Sequence, residues 1–176
     1  MHEYSDLAYR CSVFTLNSLR EVEEKTIEAL KTSGATSLVK TLQMARLERI
    51  ILAVGMFSVF ESLLQDRLNC KDGFIEAKEI LKQSGDLETL TKFTDLELAV
   101  NALKHGRGRS YNILLEKEGG SITSKVKTSS EAFFEEGDVS EVSALVDVDD
   151  NFIYSCVEII SQVSSSIKGF RKDVTL

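Results

Sequence analysis

Tyr4, Leu7, Ala8, Cys11, Phe14, Ser18, Leu19, Val22, Thr26 and Ala29 recur at steps of three and four residues. That spacing lines one face of an α-helix, so the pattern predicts a first amphipathic helix ending near Gly34. A second helix is predicted from about Thr36 to Asn69, with Leu38, Leu42, Leu47, Ile50, Val54, Phe57, Leu64 and Leu68 along it. Its middle is apolar nearly all the way round, the signature of a central, buried helix. A short helix follows over Phe74 to Gln83, then one over Leu87 to His105 with Leu96, Ala99, Val100 and Leu103 turned inward and Gly106 as its stop. A last helix starts at Asp149 or Asp150, both good N-cap residues, and carries Phe152, Ile153, Cys156, Ile159, Ile160, Val163, Ile167 and Phe170.

Residues 112–150 break this pattern. They lack helical period, contain Gly119-Gly120, and hold ten acidic residues against three basic ones, which is the whole net charge of −7. We read them as an irregular acidic insertion with short strands such as Val142 to Val148. The expected architecture is therefore all-α: a single domain over 1–176, an up-and-down bundle of four to five helices with a long central second helix and an irregular segment before the last one. At 176 residues and 43% hydrophobic composition the chain supports one domain with a real core. Proline is absent, so nothing interrupts long helices.

Charge and residue content exclude several functions. An excess of acidic residues disfavours a broad footprint for duplex nucleic acid or an anionic membrane, so any anion site must be local. The longest apolar run, Ile50 to Phe60, is too short to span a bilayer. The start Met1-His2-Glu3-Tyr4 has neither a basic region nor an apolar stretch, so no secretion signal, no membrane association and a cytoplasmic location are expected. Cys11, Cys70 and Cys156 are odd in number and widely separated, which supports neither a disulfide framework nor a zinc site. With only His2 and His105 available, no metal and no cofactor are expected, and no nucleotide-binding glycine motif occurs. The run Ser161, Ser164, Ser165 and Ser166 is read as small polar packing or solvated surface.

The informative stretch is Asn101-Ala102-Leu103-Lys104-His105-Gly106-Arg107-Gly108-Arg109-Ser110. It is the densest positive spot in an acidic chain and would suit a phosphate, although a plain helix stop with an αL cap at Gly106 and cations answering the helix dipole explains the same composition. On a helical wheel Asn101 and His105 share a face opposite the inward stripe, and Leu98 joins them, which suggests that this face meets something, such as the same helix of a second subunit. A histidine there suits general-acid work or a phosphate contact. Glu61 falls within the apolar stripe of the second helix, so a Lys or Arg from another helix, or the His105 region, is expected to meet it as a buried polar partner.

Phe57-Ser58-Val59-Phe60-Glu61 followed by the Asn101 to Ser110 stretch resembles HEPN-like helical proteins of bacterial defence and toxin systems, in a branch marked by the KHGxGRS sequence. The resemblance spans roughly 1–111 and the final helix. It implies an all-α homodimer with an RNxxxH-type motif in a cleft at the interface, active members being metal-independent ribonucleases. Asn101 and His105 match the Asn and His of that motif, with His105 as acid–base group and Asn101 orienting it, but the Arg position is Val100. Lys104, Arg107, Arg109 and Ser110 would then supply the phosphate and RNA contacts. Three functions stay open at this point. One is a metal-independent endoribonuclease acting on single-stranded RNA. Another is a non-catalytic module binding RNA, a nucleotide or a protein partner. The third is a helical interaction protein in which Glu61 and the 104–109 turn form one buried polar network.

Overall fold

A computed structural model describes residues 2–117, 122, 125–128 and 144–173, with side chains through 169 from residue 4 on. The helices are α1 (His2–Leu30), α2 (Thr36–Leu68), α3 (Gly73–Gln83), α4 (Leu87–His105), α5 (Arg109–Glu116) and α6 (Asp150–Asp173). The chain is an all-α bundle, as its periodicity predicts. The sixth helix, α5, is the addition: it runs from the turn at Arg109 into the stretch read as irregular from residue 112, burying Tyr111 and Leu114 three residues apart. Eight residues are too few to show a helical period in sequence.

Helix ends follow local chemistry. Asp72, Asp86 and Asp149 cap α3, α4 and α6, accepting from the backbone N–H of Ile75 at 2.9 Å, Thr89 at 3.3 Å and Phe152 at 2.7 Å. Asn69 ends α2 in the left-handed region at φ 52°, ψ 50°. Gly73 is fixed by a close approach, since a Cβ there would lie 2.7 Å from the Glu61 carbonyl oxygen and 2.7 Å from the Leu64 Cβ. That glycine lets α3 start directly against α2.

The core gathers on α2, α3, α4 and α6. Phe57 and Phe60 of α2, Phe74 of α3 and Phe93 of α4 form one aromatic cluster, with the Phe74 and Phe93 ring centroids 5.1 Å apart and edge to face. Ile153, Cys156, Ile160, Val163 and Ile167 of α6 are fully buried beside it. Burial pushes the Cys156 thiol well above its ordinary value, so it behaves as a small apolar side chain. The Tyr4 ring stacks on Phe60, and its hydroxyl donates to the Met56 carbonyl at 2.7 Å while burial raises its pKa to about 12.

Two sequence expectations change here. In α1 the packed face is Ser5, Ala8, Ser12, Leu16, Leu19 and Thr26, whereas Leu7 and Phe14 are 61% and 74% exposed. Small side chains let α1 approach α2 and α6 closely, and the larger apolar ones fall outside that contact. In α2, Met44, Leu47, Ile51 and Val59 are exposed, because its neighbours α1, α3, α4 and α6 leave one face open among the described residues.

The insertion contributes an isolated antiparallel bridge between Val126 and Val146, with the Lys127 N–H donating to Leu145 and the Asp147 N–H to Lys125. The Tyr111 hydroxyl donates to the Lys127 carbonyl at 2.8 Å, tying α5 to this bridge. The remainder of the expected Val142 to Val148 strand lies outside the described residues at its first two positions. Of the serine run, Ser164 is buried and bonds the Ile160 carbonyl, and Ser166 donates to Asp86 at the start of α4.

Candidate functional site

The sequence places Asn101, Lys104 and His105 in the last turns of α4 and Arg109 and Ser110 in the first turn of α5, with Arg107 and Gly108 between. Gly106 makes the junction. Its φ of 74° and ψ of −149° lie beyond the αL basin expected for a helix cap, in a region essentially confined to glycine, and its N–H still donates to the Ala102 carbonyl at 2.9 Å. α4 therefore runs to its last hydrogen bond before the chain turns sharply into α5.

Lys104, His105, Arg107 and Arg109 are all exposed, Ser110 is half-buried, and Asn101 is half-buried one helical turn before His105. α5 opens at Gly108 with no side-chain cap and no acidic residue in its first turn. Its leading N–H groups face a positive rather than a negative environment, the arrangement that favours an anion from outside. His105 and Arg109 form no hydrogen bond or ion pair with the described residues. The exposure of this turn removes the reading in which 104–109 and Glu61 make one buried polar network.

Val100 is 4% exposed and packs in the core, so the position matching the motif arginine cannot reach a phosphate. Leu98 also packs against the core. The outer face of α4 thus presents Asn101 and His105 without the exposed apolar neighbour on which the expectation of a subunit contact rested.

Glu61 is half-buried and meets no cation within ion-pair distance among the described residues. Burial raises the pKa of its carboxyl, the nearby Asp72 and Glu97 add to that rise, and Lys104 opposes it. Glu61 and Lys104 therefore face each other electrostatically without joining. Glu97, the acid one turn before Asn101, pairs with Lys78 of α3 at 2.8 Å. Lys104 lies close enough to Glu61 to act on its carboxyl, whereas Arg107 and Arg109 lie further along the turn.

Sequence reading missed the buried charges that matter to the bundle. Arg49, which immediately precedes the apolar run Ile50 to Phe60, is 7% exposed and bonds Glu23 and Asp150. Asp95 is 2% exposed and pairs with Lys117 just beyond α5. Arg49 was recoverable in principle, because it continues the buried series Ala45, Ala53, Met56 and Phe60 at helical spacing.

Among the described residues no cluster of three or more His, Cys, Asp or Glu could hold a metal ion, and no helix is long and apolar enough to cross a membrane. Among the described residues a cavity of about 230 Å³ lies away from the turn, between α4 and α6 over Leu96, Phe152 and Ile159, with Lys92 and Lys125 lining it. The α4–α5 turn is the place where cations, a histidine and unpaired helix N–H groups coincide. No family model, no curated protein and no solved structure matches the chain.

Proposed function

We propose that the protein is an RNA-processing protein that binds single-stranded RNA at the α4–α5 turn and cleaves it without a metal, His105 serving as the acid–base group. The supporting observation is the exposed turn itself: His105 at the end of α4, Arg107 and Arg109 beside it, and an uncapped α5 N-terminus with no acid in its first turn. Backbone N–H groups and guanidinium forks suit a phosphodiester, and unstacked RNA can bring its backbone to a convex turn that duplex could not follow on an acidic surface.

In this reading Arg107 and Arg109 hold the phosphate, and Ser110 and the α5 N–H groups add hydrogen bonds. Lys104 adds a further cation beside them, close enough to Glu61 to act on its carboxyl. His105 takes the proton from a ribose 2′-OH as the oxygen attacks the adjacent phosphorus, or gives a proton to the departing 5′-oxygen. One imidazole supplies one of these roles at a time, and solvent supplies the other. Asn101, one turn back on the same face, orients the imidazole or the sugar. The resemblance to HEPN-like proteins supports the same residues in the same roles and a homodimer with the motif in a cleft at the interface.

A second reading, a non-catalytic module for RNA, a nucleotide or a protein partner, is favoured by Val100. The missing arginine leaves the transition-state charge with one fewer cation, which binding tolerates better than catalysis does.

Fluorescence anisotropy with a labelled single-stranded RNA tests the binding that both RNA readings require. Arg109→Gln should weaken binding roughly tenfold, a charge-assisted hydrogen bond being worth about 1.5–3 kcal/mol. It should also lower the slope of log affinity against log salt by about 0.7. Unchanged affinity and slope in Arg109→Gln and Arg107→Gln would remove RNA from this turn.

A further inference from the structure

α5 has little of its own to hold it. Its eight residues make about two turns, short of the roughly 12–15 at which an isolated helix becomes even marginal in water. It buries only Tyr111 and Leu114, its N-terminus has no side-chain cap, and Gly106 and Gly108 stand in its junction with α4. Yet its first turn carries Arg109, Ser110 and the N–H groups on which the proposed phosphate contacts depend. Where that turn stands must be fixed from elsewhere.

The fastening lies at the other end. Lys117, at which α5 stops, donates from Nζ to Oδ1 of Asp95, whose side chain is 3% exposed. Asp95 stands ten residues before His105, about 15 Å along α4, and Lys117 eight residues after Arg109, about 12 Å along α5. The two helices therefore fold back on one another about Gly106, and the ion pair closes the open end of that hairpin.

We infer that Asp95 and Lys117 are positioning residues: their pair sets where α5 lies along α4, and so where Arg109, Ser110 and the leading N–H groups stand relative to His105. A buried carboxylate is costly unless paired, and an apolar pair of similar volume often holds two helices as well or better, so what the ion pair adds is one defined register. Lys117 also answers the negative end of the α5 dipole, where the last turn has no other cation. The Tyr111 hydroxyl, donating to the Lys127 carbonyl at 2.8 Å, is a second polar tether, and the first turn of α5 projects beyond both. The effect on RNA rests on the function proposed above; the placing of α5 does not.

Amide hydrogen exchange and RNA anisotropy on the full chain test this, with circular dichroism confirming the fold of each variant. Lys117→Met and Asp95→Asn should each speed exchange at Asn112 to Leu115 by about tenfold or more and leave the core amides of α2 and α6 within about twofold. Both should weaken binding of the labelled single-stranded RNA by about tenfold, the phosphate contacts being misplaced. Losing one cation takes the net charge from −7 to −8, and losing one carboxylate takes it to −6. A general electrostatic effect would therefore weaken binding in Lys117→Met and strengthen it in Asp95→Asn. The double variant Asp95→Asn with Lys117→Met strands no charge and keeps −7, so it should fold, exchange fast in α5 and bind weakly. Lys117→Arg should retain both wild-type readouts. Unchanged exchange across α5 in the double variant would overturn the assignment, as would RNA affinities that simply follow net charge. A wild type that binds no RNA would remove the function proposed for the turn, and exchange alone would then decide the role of the pair.

Discussion

Arg49 Nε donates to Asp150 Oδ1 at 2.9 Å while its terminal nitrogens hold both oxygens of Glu23 at 2.7 and 2.8 Å, so one buried guanidinium joins α1, α2 and α6. Asp150 also accepts from Arg20 at 3.0 Å. α1, α2 and α6 are thus fastened together by one ionic knot, and the α4–α5 turn is left outside it.

Removing Arg49 strands two carboxylates and leaves a void. Arg49→Ala should cost about 2–4 kcal/mol in urea unfolding, somewhat below the range for fully buried pairs because Glu23 and Asp150 keep part of their solvent. A loss under about 1 kcal/mol would mean that packing alone sets the angle of these helices.

The same contacts set the acid limit of stability. Burial works against ionisation of Asp150 and Asp149, but hydrogen bonds outweigh it, from Arg49 and Arg20 to Asp150 and from Lys125 and the Phe152 N–H to Asp149, and both carboxyls are held below their ordinary value. A depressed folded-state pKa contributes stability that is fully present above the unfolded value near 3.9 and is lost as pH falls through the folded one. Tm should therefore hold from neutrality to about pH 5 and drop below about pH 4. In Asp150→Asn the neutral plateau should be lower and the acid drop shallower. An unchanged acid limb would contradict the assignment.

Glu61 carries the opposite sign. Its carboxyl is raised, so the folded state favours the protonated form, and that advantage is lost as pH climbs through the folded pKa. Glu61→Gln should be slightly more stable than the wild type at neutral pH, by up to about 0.5 kcal/mol for so accessible a group, and should converge with it in acid. Destabilisation by Glu61→Gln at neutral pH would show that Glu61 closes onto Lys104 in solution.

Gly106 has a conformation that a Cβ penalises. Gly106→Ala should cost about 1–3 kcal/mol in chemical unfolding. Gly34→Ala, where a Cβ meets nothing, should stay within about 0.5 kcal/mol. Because Gly106 makes the turn that joins His105 to Arg107, Gly106→Ala should also weaken RNA binding. An equal effect at both glycines would argue that the turn is tolerant and does not position the site.

The longer helices are legible because their apolar residues recur over several turns, and α3, α4 and α6 also begin at aspartate caps. Their contacts were less so. In α1 the sequence shows one broad apolar series, Tyr4 to Ala29, but the fold uses the strip through Ala8, Ser12, Leu16 and Leu19 and leaves Leu7 and Phe14 outside. Periodicity gives the face of a helix and not which part of that face a neighbour covers. Arg49 and Asp95 escaped for a related reason: a buried charge is recognisable only with its partner, and Glu23, Asp150 and Lys117 sit on other elements. The Lys104 to Ser110 turn stood out because glycine and cation spacing is a local signal, and its exposure follows from the stop at Gly106. Glu61 stands out in the apolar stripe of α2, but whether a cation reaches it depends on where the cations of other helices fall, which no spacing encodes.

The most direct test of the proposed function is cleavage of a mixed single-stranded RNA pool in EDTA by the wild type and by His105→Ala, with both shown to be folded. His105 is exposed and makes no bond within the described residues, so the substitution should leave stability within about 0.5 kcal/mol. Metal-independent cleavage that falls by about a hundredfold or more in His105→Ala is the predicted result. Binding without cleavage by the wild type, or cleavage that persists undiminished in His105→Ala, would contradict it.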